Sequence, residues 1–166
     1  MGWFSKLIGA VSKEERAGIR LNTDQPYWEI EGPKTFGELL YAFDGWLPEG
    51  AIMYFEGGSP DKEINHFLAK QSIPEQAHVA LGTIWPRPKV FHVPATAEVL
   101  NELARIMAHH AEPELAVHLH VYRGKEVLLE WYDAFSDPLL MSGIISEEQV
   151  KMFANKTKAN FKKITK

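Results

Sequence analysis

The chain has 166 residues, no cysteine and a formal net charge of −4. The lack of cysteine excludes disulfide bonds and cysteine-ligated zinc, and it suits a reducing compartment. A chain of this length is expected to form one domain. No apolar run approaches the roughly 18 residues that a membrane-spanning helix needs, and no secretory signal pattern is present. We therefore expect a cytoplasmic protein.

The charge is unevenly distributed along the chain. Residues 151–166 contain six lysines and no acid, so they carry +6, while residues 1–150 carry −10. A basic tail can bind nucleic acid or an acidic membrane. The acidic remainder would repel a phosphate backbone, and the tail lacks arginine, the residue best suited to reading bases. A nucleic-acid partner is therefore not expected, and the lysines are interpreted as a solvated face.

Residues 1–20 are predicted to form an amphipathic N-terminal helix and a linker, and residues 21–166 a single globular domain. Five apolar side chains share one helical stripe: Trp3, Phe4, Leu7, Ile8 and Val11. Such a stripe can dock on its own domain, bind a protein partner or mediate self-association. Contact with a membrane surface is a further alternative, because aromatic residues and lysines suit that role. A protein contact is favoured over a membrane contact.

Further along the chain, alternating runs predict strands and a 3.6-residue period predicts helices. The predicted elements are a strand over 27–31, a helix over 35–45, a strand over 51–55, a helix capped by Ser59, possible strands over 78–85 and 89–93, a helix from Thr96 that ends before Pro113, a hairpin over 117–132, and a last helix from Ser146 that buries Val150, Phe153, Thr157, Phe161 and Ile164. The adjacent late strands favour an α+β fold, with a largely antiparallel sheet and helices packed on it.

The hairpin is predicted to have one apolar face and one polar face. A three-residue turn over 122–124 keeps the apolar residues of both strands on the same side and places Gly124 where a left-handed conformation is needed. The polar face then carries His118 and His120, with Glu126 and Glu130 on the neighbouring strand. In this register Leu128 lies opposite His118, and the two glutamates are diagonal neighbours of His118.

A divalent metal site is one hypothesis for this polar face. Two histidines and one carboxylate suit zinc or non-haem iron, and the spacing of His118 and His120 places both rings on one side of a strand. Glu126 or Glu130 would supply the carboxylate. A solvated or covered polar face without a metal is the interpretation that the sequence favours, so no cofactor is predicted.

Large aromatic residues near loops and strand ends suggest a binding surface. The candidate residues are Trp46, Trp85, Phe91, Tyr122 and Tyr132. No arrangement of residues in the sequence has the spacing of a catalytic site. The leading hypothesis is therefore a non-enzymatic binding or protein-interaction module. The alternatives are a metal-dependent hydrolase or oxygenase that uses the hairpin histidines, and a peripheral membrane adaptor that uses the N-terminal stripe.

Overall fold

The computed structural model describes residues 12–14 and 16–165. In this part of the chain, seven strands form one sheet in the order β3-β2-β4-β5-β6-β1-β7, and all neighbouring strands are antiparallel. The strands are β1 (Tyr27–Glu31), β2 (Ile52–Glu56), β3 (Val90–Pro94), β4 (His118–Arg123), β5 (Glu126–Trp131), β6 (Leu139–Ser142) and β7 (Asn160–Ile164). The predicted stripe of apolar residues in the N-terminal helix lies outside the described residues.

Helices pack on one face of this sheet, which confirms the predicted α+β fold. They are α1 (Phe36–Phe43), α2 (Lys62–Gln71), α3 (Ala97–Met107), the single turn α4 (Glu112–Leu115) and α5 (Glu147–Thr157). Helix α1 packs against both α3 and α5, and its apolar side chains join those of the sheet in the main core. No helix in the described part of the chain has the length and apolar character needed to cross a membrane.

Side-chain caps begin four of the five helices in the described part of the chain, and three of these caps lie where the sequence predicts them. Thr35 accepts a hydrogen bond from the Glu38 N–H at the start of α1, and Thr96 caps α3. Helix α2 differs, because Asp61 rather than Ser59 caps it. The backbone N–H of Ser59 instead donates to the carbonyl of Pro113. This contact holds Ser59 outside the helix, so the helix starts two residues later.

Replacing Ser146 by alanine is expected to lower the free energy of unfolding by about 1 kcal/mol. Ser146 Oγ accepts from the Gln149 N–H at 3.2 Å, and the Gln149 side chain accepts from the Ser146 N–H at 3.1 Å. The substitution removes one half of this reciprocal pair. Urea denaturation measures the loss. The exposed Ser72 is the control, because its replacement by alanine leaves the capping pair of Ser146 and Gln149 intact. An equal loss of unfolding free energy at both positions would contradict the prediction.

The C-terminal segment is not the single long helix that the sequence suggests. Helix α5 ends at Thr157, and Lys158 adopts a left-handed conformation with φ of 53°. The chain then forms β7, which pairs with β1 in antiparallel register. Pairing with β1 satisfies backbone groups of β1 that would stay unpaired at the sheet edge if the helix continued. Phe161, now part of a strand, contacts the ring of Trp28 edge-to-face at 6.0 Å between ring centres.

Two extended segments, residues 18–22 and 73–83, cover the face of the sheet opposite the helices. Ile19 and Val79 form a parallel bridge, and the N–H of Ile19 donates to the carbonyl of His78 at 2.7 Å. Apolar side chains from both segments pack against this sheet face in a second, smaller core. Within the predicted strand over 78–85, only Val79 forms a β-bridge, and the rest of this segment is not a strand. Both sheet faces are therefore buried near β2, β4 and β5.

The turn between β4 and β5 has two residues instead of the predicted three. Arg123 and Glu126 pair at the ends of the strands, and Gly124 and Lys125 connect them. Gly124 has a φ of 60°, so the left-handed conformation falls on the residue that the sequence indicated. The rest of the predicted register changes with the length of the turn.

A β-bulge next to Tyr122 restores the expected faces from Leu129 onward, while Val127 and Leu128 lie on the faces opposite to those predicted. Beyond the bulge, Glu130 lies directly opposite His120, instead of Leu128 opposite His118 as predicted. Leu128 and Leu129 both join the main core, while Val127 packs on the covered face. Because both faces are buried here, apolar residues are stable on either side. Alternation alone could not determine the register.

Candidate functional site

The covered sheet face carries a row of polar and aromatic side chains, called here the polar row. Every second residue of a strand points to the same face, and neighbouring strands align these residues across the sheet. The polar row consists of Tyr54, Glu56, His92, His118, His120, Tyr122, Glu130 and Tyr132. All are buried except Tyr132, which is half-buried. The site therefore lies between the sheet and its covering segments.

Glu56 is fully buried at the end of β2 and holds the covering segment on the sheet. Its Oε2 accepts hydrogen bonds from the Tyr54 hydroxyl at 2.8 Å and from the Gly82 N–H at 3.0 Å. Its Oε1 accepts from the Thr83 N–H at 2.6 Å. Burial and the adjacent Glu56 raise the pKa of Tyr54, so Tyr54 stays a donor. Charge-assisted hydrogen bonds of this kind are the strong ones, and they fix the backbone at residues 82 and 83.

Hydrogen bonding determines which ring nitrogen of His118 carries the proton. His118 Nδ1 accepts from the backbone N–H of Asp133 at 3.0 Å. In the neutral ring the proton must then lie on Nε2, which faces Glu56 Oε1 at 4.0 Å. Metal coordination through Nε2 would need a lone pair there. The contact with Asp133 therefore opposes a role for His118 Nε2 as a metal ligand.

His120 is buried to 1 % exposure and sits between two tyrosine rings. Its ring stacks on Tyr54 at 5.4 Å and meets Tyr132 edge-on at 4.7 Å. Within the described chain, neither ring nitrogen has a hydrogen-bond partner. Burial, with smaller contributions from the charges of His118 and Arg20, lowers the pKa of His120 to about 3. His120 is therefore neutral at physiological pH.

The remaining members of the polar row are paired. Glu130 Oε2 accepts from the N–H of Leu21 at 2.7 Å, which ties the first covering segment to β5. Burial raises the pKa of Glu130, although the bond from Leu21 opposes this. His92 Nδ1 and the Tyr122 hydroxyl lie 2.8 Å apart. Burial lowers the pKa of His92 and raises that of Tyr122. These contacts link β3, β4, β5 and the cover.

The covering segment lies directly on the rings of the polar row. A Cβ atom on Gly82 would be 2.7 Å from Cδ2 of His118 and 2.8 Å from Cε1 of Tyr132. Only glycine fits at this approach. The row contains carboxylates, imidazoles and phenols that could carry acid–base chemistry. Gly82 lies against the rings of His118 and Tyr132 and covers part of this face.

The structure separates the four predicted metal ligands. His118, His120 and Glu130 belong to the polar row, but Glu126 lies at the exposed end of the hairpin, opposite Arg123. In the described chain, no three of these four side chains bring ligand atoms within 4.8 Å of one another. The hairpin face therefore does not have the convergent donor set that a shared ion requires.

The five aromatic residues predicted to form one binding surface lie in different places. Trp46 is buried on the helix side, where its ring contacts Phe153 at 5.1 Å. Tyr122 is buried on the opposite face, so these two residues do not share one surface. The half-buried Phe91 packs against the main core, and Tyr132 lies in the polar row. Trp85, which is 68 % exposed, remains accessible.

Sequence reasoning missed Glu56 and Tyr54, which organise the site. The signal was present in β2, whose sequence IMYFE alternates in the same way as the hairpin. Because Met53 and Phe55 face the helices, Tyr54 and Glu56 must face the other side. The contact with Gly82 had no such signal, since it joins residues 26 positions apart.

No family model, no curated protein and no solved structure matches this chain. Its function is therefore inferred from its own geometry.

Proposed function

We propose that the protein is a non-enzymatic protein-interaction module of the cytoplasm, and that Ile84 and Trp85 form its binding tip. These adjacent residues are 58 % and 68 % exposed, and Trp85 is the most exposed large apolar side chain in the described chain. Tryptophan is enriched among the residues that contribute most to binding at protein interfaces. The exposure of this pair is the observation that carries the proposal.

A fixed base supports the binding tip. The residues immediately before it, Gly82 and Thr83, donate their backbone N–H groups to the buried carboxylate of Glu56. Gly82 also packs on the rings of His118 and Tyr132. A loop that is already ordered loses less conformational entropy when it binds. The polar row thus has a role in this function, because it preorganises the tip without contacting the partner.

The surroundings of the tip indicate the chemistry of its partner. Arg87 and Lys89 follow Trp85, each preceded by a proline, so two cations lie next to the apolar pair in a chain with a net charge of −4. Complementary charges across an interface accelerate association and select the partner. We therefore expect a partner protein with an apolar pocket bordered by acidic residues.

The contacts of the polar row favour this proposal over the metal-dependent hydrolase or oxygenase. Such an enzyme would need a lone pair on His118 Nε2 and an approach to the ring, but Asp133 directs the proton to Nε2 and Gly82 covers the ring. An interaction module needs only the exposed tip and its support.

Replacing both Ile84 and Trp85 by serine is expected to abolish capture of the partner. Hot-spot residues contribute about 2 kcal/mol or more each, which corresponds to at least a tenfold loss of affinity. Immobilised wild-type and variant chains are incubated with a cell lysate, and retained proteins are quantified by mass spectrometry. The partner is a protein that the wild type retains and the double variant loses.

Ile144 provides the matched control for this experiment. It is 60 % exposed, similar to Ile84, but lies beside β6, far along the chain from the tip. The Ile144→Ser variant should retain the same proteins as the wild type. Exposed substitutions change stability by only about 0.5 kcal/mol, so thermal melting should show that all variants are folded. The proposal would be contradicted if the double variant still retained the partner, or if the Ile144→Ser control lost it. It would also be contradicted if the wild type retained no protein specifically.

The N-terminal stripe is proposed as the second contact, for a protein partner or for self-association. A Trp3→Glu, Ile8→Glu variant in the same capture experiment separates its contribution from that of the tip. Flotation of this variant and the wild type with acidic liposomes tests the membrane alternative. Equal flotation of the two would remove the stripe as a membrane anchor.

A further inference from the structure

Four titratable side chains from three chain segments meet on the helix side of the molecule. Asp61 and Glu63 lie at the start of α2, His110 follows α3, and Glu114 lies in α4. Asp61, His110 and Glu114 each offer one ligand atom, and these atoms lie within 4.8 Å of one another. Glu63 lies beside this group, and its Oε2 is 3.7 Å from His110 Nε2.

The ring of His110 is oriented by the carbonyl of Ile106. His110 Nδ1 lies 2.9 Å from this oxygen. A carbonyl only accepts, so Nδ1 carries a proton and donates it. In the neutral ring the lone pair is then on Nε2. Histidines that bind metals usually donate their other ring N–H to a carbonyl or carboxylate in this way.

His110 Nε2 points at carboxylate oxygens. The side chain is nine-tenths buried, with 10 % exposure, and Nε2 lies 3.0 Å from Asp61 Oδ2. Within the described chain, the neighbours recorded for Nε2 are carboxylate oxygens of Asp61 and Glu63. A lone pair that faces carboxylate oxygens is repelled unless a cation lies between them. The cation is either a second proton on the ring or a metal ion.

Backbone donors hold two of the carboxylates and leave one oxygen of each available. Asp61 Oδ1 accepts from the Ile64 N–H at 2.9 Å, and Glu114 Oε1 accepts from the Ala111 N–H at 3.0 Å. These backbone donors do not hold the second oxygen of either carboxylate, and that of Asp61 faces His110 Nε2. The separation of 3.0 Å between His110 Nε2 and Asp61 Oδ2 is close to the distance of about 3.3 Å between two ligands of a tetrahedral zinc ion.

We propose that Asp61, His110 and Glu114 form a binding site for a divalent transition-metal ion, with Zn²⁺ as the best fit. One imidazole nitrogen and two carboxylate oxygens suit Zn²⁺, whereas Mg²⁺ and Ca²⁺ prefer ligand sets made only of oxygen. The ion would join the start of α2 to the connection between α3 and α4. The proposal does not depend on the binding tip.

Titration of ZnCl₂ into the EDTA-treated, dialysed full chain tests the proposal. At about pH 7.5, isothermal calorimetry should show one ion bound per chain, and the melting temperature should rise with Zn²⁺. The ¹⁵N resonance of His110 Nε2 should shift when the ion binds. Metal ligands must be deprotonated to bind the ion, so affinity should fall as the pH is lowered.

Two variants and a control separate a metal site from nonspecific binding. His110→Gln should weaken Zn²⁺ binding at least about tenfold, a loss typical for disruption of a metal site. Asp61→Asn should also weaken it, while asparagine still caps the helix. His109→Gln, at the exposed neighbouring position, should bind as the wild type does. Three results would overturn the proposal: no stoichiometric binding of Zn²⁺, equal binding by the His110 variant and the wild type, or a His110 resonance that Zn²⁺ leaves unchanged. Each would show that a proton alone occupies the site.

Discussion

Replacing Glu56 by glutamine is expected to lower the free energy of unfolding by about 3 kcal/mol. The carboxylate accepts from Tyr54, Gly82 and Thr83 with both oxygens. Glutamine has the same shape but only one acceptor oxygen, and its amide N–H₂ group would face at least one donor. A buried donor then loses its partner, and the charge that strengthens the remaining bonds is gone. Urea denaturation measures the change.

The same substitution should loosen the base of the binding tip. Amide hydrogen exchange at Gly82 and Thr83 should accelerate in the Glu56→Gln variant, because their acceptor is weakened or lost. Glu126→Gln is the control, since Glu126 is exposed and should change stability by no more than about 0.5 kcal/mol. If Glu56→Gln lowered the free energy of unfolding as little as Glu126→Gln does, the carboxylate of Glu56 would not hold the covering segment.

Replacing His120 by phenylalanine is expected to make the protein more resistant to mild acid than the wild type. Burial lowers the pKa of His120 from 6.5 to about 3 in the folded state. Between these values the unfolded chain binds a proton that the folded chain does not, so stability falls as the pH is lowered. This one group should cost the wild type about 2 kcal/mol between about pH 7.5 and about pH 5. The His120→Phe variant has no titrating group at this position and should not show this loss of stability.

The measurement compares urea unfolding of both proteins at the two pH values. The raised pKa of Glu130 acts in the opposite direction, because its stabilising contribution is lost as the pH rises through that pKa. It is present in both proteins and cancels in the comparison. His120→Leu is a second variant with a smaller side chain, so packing strain cannot explain the result. Equal losses in the wild type and both variants would show that His120 is not a buried neutral group.

Local patterns predicted most of the regular structure. Residues 27–31 form β1 as predicted, and the capping pair of Ser146 and Gln149 begins α5. These features depend on contacts within a few residues, where alternation, periodicity and caps act. The predictions failed where contacts with residues distant in the sequence determine the secondary structure. The left-handed Lys158 and the pairing of β7 with β1 end the last helix early, and nothing within residues 151–166 indicates that partner strand.

The candidate sites show the same division. The hairpin pattern correctly placed His118, His120 and Glu130 on one face, but a bulge and a shorter turn changed which residues are opposite. The pair of histidines drew attention to a metal site there, yet the group whose ligand atoms converge includes Asp61 and His110, 49 positions apart. Their proximity arises because α2 and α3 pack side by side.

The sequence by itself determined the fold class, the start of most helices and the shared face of His118, His120 and Glu130, because each follows from the periodicity of neighbouring residues. Only the tertiary structure decided what covers the second sheet face, that Glu56 holds this cover, and that Trp85 is exposed while Trp46 is buried. The two tryptophans both follow turns or loops and have no local difference that predicts their burial. Burial depends on segments far away in the chain, and the contacts of those segments become visible only when the chain is folded.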